Sequence, residues 1–285
     1  MITSRAYSDK ADLERLIRFL VAERKRDPVQ RWHVGDLIWR MFYSSDFDPA
    51  QNVRLWEDNG EIVGFGWRYP PNGADLNPRD PALLPEMVAW ADANIHEGKL
   101  YVATLDANRS EIDYFESHGF QRHPPYGYHL RRLIGDFPAW SLPAGFSLRS
   151  LAGDSEVAAR AEAHRLAFGT QAVTDEGYRN VIQTPIYDRD LDLLVIAPDR
   201  RIAAFCLCWL DEVNHVGLFE PVGTHPDFRR LGLARTVMLE GLRRMQARGM
   251  EAVLVATGAE NMASQALYQA LGFKVQCSEL IYVRV

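Results

Sequence analysis

The chain has 285 residues, 47% of them apolar and 25% charged, the balance of a soluble globular protein. A typical domain takes about 100–200 residues, so two domains are expected. Lys and Arg number 32 against 38 Asp and Glu, with 17 and 21 of them in residues 1–140. Neither half therefore has the basic excess that a nucleic-acid backbone attracts. Three cysteines cannot build a disulfide framework. Cys206 and Cys208 lie in an apolar run and share a strand face, and without further Cys or a close His they make a poor metal site, so buried core is expected and no metal. There is no basic start followed by an apolar stretch, and no run of about 18 apolar residues. A cytoplasmic protein without membrane or nucleic-acid partners is expected; oligomeric state stays open.

In chain order, residues 2–7 read as a short strand. A helix follows, with Leu13, Leu16, Ile17, Leu20 and Val21 on one face. Strands are expected at 52–57 and 61–69, joined by Asp58-Asn59-Gly60, a hairpin signal. A helix is expected at 82–95, a strand at 99–105 and a helix at 109–118. The stretch 135–145, GDFPAWSLPAG, carries two prolines and two glycines and reads as a linker. Six of the seven tryptophans fall at or before its Trp140. Beyond it come a strand at 146–151, helices at 154–168 and 174–183, and strands at 191–197 and 201–210 joined by Pro198-Asp199-Arg200. A strand at 216–223, a helix at 233–248, a strand at 251–257, a helix at 261–271 and a strand region at 274–285 complete the chain.

The two halves share this order. YFESHGF (114–120) and LYQALGF (267–273) each end a helix at Gly-Phe, where glycine suits the left-handed C′ position. The fold class is α/β, with two copies of one unit at 1–140 and 146–285.

The informative segment is VGTHPDFRRLGLAR, 222–235: a strand end, a basic loop with a glycine, then an amphipathic helix. A helix start leaves four N–H groups without intrahelical partners, and these bind phosphate when small residues let it approach. Gly232 and Ala234 are small, and Arg229 and Arg230 add charge. No Gly-Lys-Ser/Thr follows, which excludes a Walker loop, and a dinucleotide fingerprint needs three glycines. The pattern Arg229-Arg230-Leu231-Gly232-Leu233-Ala234 resembles the acyl-CoA pyrophosphate loop of the GNAT superfamily of N-acyltransferases, Arg/Gln-x-x-Gly-x-Gly/Ala. NMASQALYQALGFKV (261–275) is similar to that family's later helix. In architecture the chain resembles two-domain members such as mycothiol synthase.

The resemblance implies two tandem domains, each a mixed, mostly antiparallel central sheet flanked by helices. It implies acetyl-CoA as co-substrate, with pantetheine on the strand edge of Val222, Gly223 and Thr224 and near Asn261. The pyrophosphate would meet backbone N–H groups from Arg230 to Arg235, beside Arg229. The activity implied is direct transfer of an acetyl group to a primary amine of a small molecule. An alkylammonium of pKa about 10 must first lose a proton, and the departing thiolate gains from a donor. Tyr268 stands where family members place the general acid. Glu220 stands where many carry an acid facing the amine, as base or as substrate ligand, with Asp211, Glu212 and His215 as alternatives. His225 reads as structural.

The first half lacks these features. Its corresponding stretch, 74–86, has no such motif and carries Pro78, Pro81 and Pro85, which remove donors, and Asp80 and Glu86, which repel phosphate. Phe115 aligns with Tyr268. The first half is expected to be non-catalytic, closing the cleft and lining the acceptor pocket; Trp32, Trp39 and Trp67 are candidates for that lining, more consistent with core. The competing readings are a non-catalytic acyl-CoA sensor, and transfer of a longer acyl group or to an alcohol or a protein amine.

Overall fold

The computed structural model describes residues 1–95 and 98–284. The first half runs β1 (Thr3–Ala6), α1 (Lys10–Arg26), α2 (Val34–Phe42), α3 (Pro49–Asn52), β2 (Val53–Asp58), β3 (Glu61–Tyr69), β4 (Gly73–Pro78), α4 (Leu84–Ala93), β5 (Tyr101–Leu105), α5 (Arg109–Ser117), β6 (Phe120–Arg122) and β7 (Gly127–Leu133). The second runs β8 (Ser147–Ser150), α6 (Val157–Phe168), α7 (Asp175–Ile182), β9 (Asp192–Ile196), β10 (Ile202–Asp211), β11 (Val216–Thr224), α8 (Leu233–Ala247), β12 (Ala252–Gly258), α9 (Met262–Ala270) and β13 (Lys274–Arg284). The last residue of the strand expected to reach 285 lies outside the described residues.

Turn chemistry sets several of these boundaries. Asn59 and Gly60 both have positive φ (51° and 84°), as the primed turns that suit a two-residue hairpin require. Gly119 and Gly272 have φ of 79° and 81° after α5 and α9, so both Gly-Phe endings use the glycine as expected. Five elements, α2, α3, β4, β6 and β7, have no counterpart in the expected order, and α2, β4 and β7 bear most on the site. α2 carries Val34, Leu37, Ile38 and Met41 on its buried face, and His33 and Asp36 form a capping box at its start. β4 was read as loop because Pro78 ends it.

Among the described residues the strands form one sheet, in the order β1-β2-β3-β4-β5-β13-β7-β12-β11-β10-β9-β8, with β6 on β13. Two pairs are parallel, β4 with β5 and β11 with β12; the rest are antiparallel. The halves exchange their last strands. β7 pairs along its whole length with β12, from Leu133↔Ala252 to Gly127↔Gly258. β13 pairs with β5, from Leu105↔Glu279 to Tyr101↔Val283. The linker thus divides the chain, while the sheet runs across it.

The core runs across it too. One apolar cluster joins Leu16, Phe65 and Trp67 of the first half to Tyr178, Phe205 and Trp209 of the second. α2 is the contact between them. A Cβ at Gly35 would lie 2.3 Å from the Trp209 ring, so only glycine lets α2 approach β10 this closely. Trp39 stacks on Tyr43 and meets Tyr178, and Trp67 stacks on Phe47, so both are core residues. Cys206, Cys208 and Cys277 are free and buried.

Candidate active site

The parallel pair β11–β12 is the starting point. It holds only from Val216↔Ala252 to Phe219↔Val255. Beyond that, β11 continues to Thr224 against β10 and β12 continues to Gly258 against β7, so the two strands part into a wedge. His225 N–H donates to Ala203 O at 2.9 Å. Alternate residues of an antiparallel strand bond the same neighbour, so backbone groups of Val222 and Thr224 face the wedge. Gly223 does not. Its backbone faces β10, and a Cβ there would sit 2.3 Å from the Phe205 ring.

A short loop joins β11 to α8 at the mouth of the wedge. A 3-10 turn, Pro226–Phe228, is fixed by His225, whose Nδ1 accepts the Asp227 N–H at 3.1 Å. This commits His225 to the loop, as expected. Arg230 then takes φ 67° and Gly232 φ 75°, ψ 5°. A Cβ at Gly232 would meet nothing within 4 Å, so the requirement for glycine is conformational. A non-glycine residue at positive φ costs of order 1 kcal/mol, and such strain gathers at ligand sites. Left-handed residues of this kind also occur in the backbone nests that bind anions. Gly232 is also the N-cap of the 15-residue α8, and no side chain caps that end. The N–H groups of Leu233, Ala234 and Arg235 therefore keep donors for a ligand. Arg229 reaches back to Ala167 O at 3.0 Å, whereas Arg230 and Arg235 form no ion pair among the described residues.

On the other wall, α9 follows β12. Asn261 caps it, its Oδ1 accepting the Ser264 N–H at 3.1 Å, which leaves the amide NH₂ uncommitted. Tyr268, two turns on, is 5% exposed and packs on Phe273. Burial raises its pKa first, and the charge of Glu220 raises it further, against a hydrogen bond from Ser264. The two predicted catalytic residues therefore lie within electrostatic reach of each other.

Glu220 is half-buried on β11, at the first position beyond the paired stretch, and Trp209 Nε1 donates to its backbone carbonyl at 2.7 Å. No hydrogen bond or ion pair ties its carboxylate to a described residue. Burial first, and then the charge of Asp36, push its pKa up to about 7, with Arg40 opposing. The carboxylate borders a void of about 50 Å³ whose other walls include Arg31, Trp32, Asp36 and Arg40 from the first half and His129 and Glu279 at the seam. Asp211, Glu212 and His215 are not brought here. They lie at the β10–β11 turn, four residues or about 13 Å back along the strand from Glu220. Asp211 is paired with Arg24 at 3.9 Å.

The first half repeats the wedge without the cradle. β4 and β5 pair only over Gly73–Asp75, then part around a cavity of about 460 Å³. At its mouth Asp80 Oδ1 takes the Ala82 N–H at 2.9 Å, Pro81 opens the following turn and Pro85 stands in the first turn of α4. Glu86 accepts from Trp56 Nε1. Asn108 caps α5 as Asn261 caps α9, and Phe115 comes seven residues later, as Tyr268 does. Phe115 packs among Tyr114, Phe120 and Tyr282. That cavity thus lies in the half without the donors.

Residues 159–273 match the acetyltransferase (GNAT) family. The chain carries a GNAT match over most of its second half. It is an acyl-CoA-dependent N-acyltransferase of the tandem kind. It is 26% identical to mycothiol acetyltransferase of Kytococcus sedentarius over 90% of this chain and 94% of the relative. It is also 26% identical to the Streptomyces coelicolor mycothiol acetyltransferase, over 81% of this chain and 79% of that one. A GCN5-related N-acetyltransferase from Sphaerobacter thermophilus shares the fold with TM-score 0.65 and 20% identity, over 99% of this chain and 95% of that one. A tandem GNAT protein from the clavulanic acid biosynthesis pathway does so with TM-score 0.68 and 14% identity, over 99% and 98%.

Asp36 and Arg40, which face Glu220, were missed in the sequence reading. The signal that locates them was present: the capping box and apolar spacing of α2 put Asp36 and Arg40 one turn apart, off its buried face. Tyr69, Asp75, Glu279 and His129 had no such signal, because their meeting depends on the strand exchange.

Proposed function

We propose that the second half transfers an acetyl group from acetyl-CoA to the primary amine of a small molecule. The observation that carries this reading is the coincidence, at one wedge, of an uncapped helix start, two free strand-edge residues, a buried tyrosine and a carboxylate near neutral pKa. Loop and helix donors from Arg230 to Arg235 suit a pyrophosphate, with Arg229 at the rim. The edge at Val222 and Thr224 suits the amides of pantetheine, and Asn261 offers its free amide from the other wall. The thioester supplies the activated acyl group.

The protein's own part is proton handling. An alkylammonium has a pKa of about 10, and an ordinary Glu is roughly six units too acidic to deprotonate it. At about 7, Glu220 is mismatched by roughly three and works as a base at neutral pH. Tyr268 stays protonated and can donate to the departing sulfur. When Glu220 accepts a proton its charge disappears, and with it one of the causes, after burial, that hold the Tyr268 proton on. The base step thereby makes the acid step easier.

We assign the first half a non-catalytic role, since its cradle is filled by Asp80 and prolines, and its contribution is the far wall of the acceptor void. The matches to mycothiol acetyltransferases support a small-molecule acceptor. The test is release of free thiol from acetyl-CoA with a panel of small amines. Thiol release that depends on an amine supports the reading. Tight acetyl-CoA binding with no turnover on any amine would indicate a sensor instead.

A further inference from the structure

The void at Glu220 is bordered by two groups of opposite charge, Glu220 and Arg40, that form no ion pair with each other. Most other ionic groups around it have partners, although His129 Nε2, 3.8 Å from Glu279, has no hydrogen bond among the described residues. Arg31 is paired with both Asp75 and Glu279. Arg24 is paired with Asp211, and Asp36 Oδ2 holds the His33 N–H at 2.7 Å as part of the α2 cap. Among the described residues Arg40 forms no ion pair. One of its N–H groups donates to the Tyr69 hydroxyl at 2.8 Å, and its guanidinium lies 5.2 Å from the Trp32 ring centre and 5.9 Å from that of Tyr69. Its remaining donors have no protein acceptor. Glu220 likewise has no partner, although both side chains border the same void.

Burying a guanidinium with one neutral partner is costly, and a long, flexible arginine beside a free carboxylate ordinarily closes on it. Here Tyr69 and Trp32 hold Arg40 back, and Tyr69 is itself fixed by donating to Asp75 at 2.8 Å. The result is a cavity with a proton-accepting end and an anion-accepting end. Arg31, Arg40 and Glu279 also line a chamber of about 240 Å³ that has Tyr69, Tyr101 and Tyr126 in its walls. Tyr101 and Tyr126 in turn line an open groove of about 1070 Å³ at the surface. A small charged head group fits the void, and the chamber has room for what it carries.

We propose that the acceptor is an amine that also bears a carboxylate, an amino acid or a compound with an amino-acid head group, its ammonium on Glu220 and its carboxylate on Arg40. This rests on the acetyl-transfer reading above and makes Arg40 a specificity determinant supplied by the half that has lost its own site. Guanidinium–carboxylate pairing is planar and bidentate, which fixes the amine as well as holding it.

The test compares L-amino acids with their carboxamides, which keep the amine and remove the anion. Two readouts are used: kcat/KM by thiol release, and binding by calorimetry with coenzyme A present. Wild type is expected to favour the acid of its best substrate by roughly tenfold or more, the size of a charge-assisted hydrogen bond. Arg40→Met is expected to bring the acid-to-amide ratio near one, and Arg40→Lys, which keeps the charge but not the fork, to recover part of it. Equal or better use of amides by wild type, an unchanged ratio in both variants, or no amino acid bound or acetylated would overturn the proposal. The two readings fail differently. Turnover of amines without carboxylate preference removes the Arg40 assignment alone. Arg40-dependent binding of an amino acid with no thiol release removes the transfer reading alone.

Discussion

Replacing Glu220 with Gln probes the site through stability and rate together. The carboxyl rises from 4.5 to about 7 on folding, chiefly through burial. At 1.36 kcal/mol per pKa unit this corresponds to about 3 kcal/mol, an upper bound because solvent in the void screens the charge. The sign follows from which form the fold prefers. The protonated carboxyl is favoured in the native state, so its contribution is fully present below pH 4.5. It is lost as pH rises to 7, and above 7 the penalty is complete. Gln carries no charge and escapes it. Glu220→Gln should therefore match wild type below pH 4.5 and be more stable at pH 8 by up to about 3 kcal/mol. With an unfolding entropy of roughly 2.1 cal/mol/K per residue, that is a Tm rise of about 5 °C for a chain of this length. Activity should move the other way. Wild-type kcat/KM should climb with unit slope up to about pH 7, while the variant should lose that limb and roughly 10²–10⁴-fold in rate. Melting curves at pH 5 and 8, with kcat/KM from pH 5 to 9, check both. A Tm difference that is the same at both pH values, or an acid limb that survives in the variant, would refute the reasoning.

Other changes separate the remaining parts. Tyr268→Phe keeps the ring packed on Phe273 and removes the donor, so kcat should fall roughly 10²-fold or more with little change in Tm. An unchanged kcat would end the acid assignment. Gly35→Ala puts a methyl 2.3 Å from the Trp209 ring, and the overpacking should cost about 1–3 kcal/mol in denaturant titration. Because α2 also carries Asp36 and Arg40, KM for the acceptor should rise while acetyl-CoA affinity is unchanged.

The parts of the site that could be read in the sequence are those set by local backbone chemistry. The glycine of the 229–234 loop is needed because its φ is 75°, and Gly272 because its φ is 81°. Tyr268 and Asn261 are legible through the family resemblance of the local motif 261–275, and the structure adds that Asn261 caps the helix seven residues before Tyr268. The other wall of the site depends on long-range pairing. Hydrophobic alternation in β7 and β13 tells which face of each strand is buried but not which strand lies beside it. It therefore could not indicate that β13 sits between β5 and β7 and carries Glu279 to Arg31. Gly223 shows a subtler limit. It lies within the expected pantetheine edge, yet its glycine serves the contact with Phe205.

The central claim is that one cradle, at Arg230–Arg235, takes the coenzyme. Calorimetry of acetyl-CoA binding to wild type and to Gly232→Asp tests it most directly. One equivalent bound per chain by wild type, and none by the variant at unchanged fold, is the predicted result. Two equivalents per chain, or binding undiminished by an acidic side chain at that left-handed position, would contradict it.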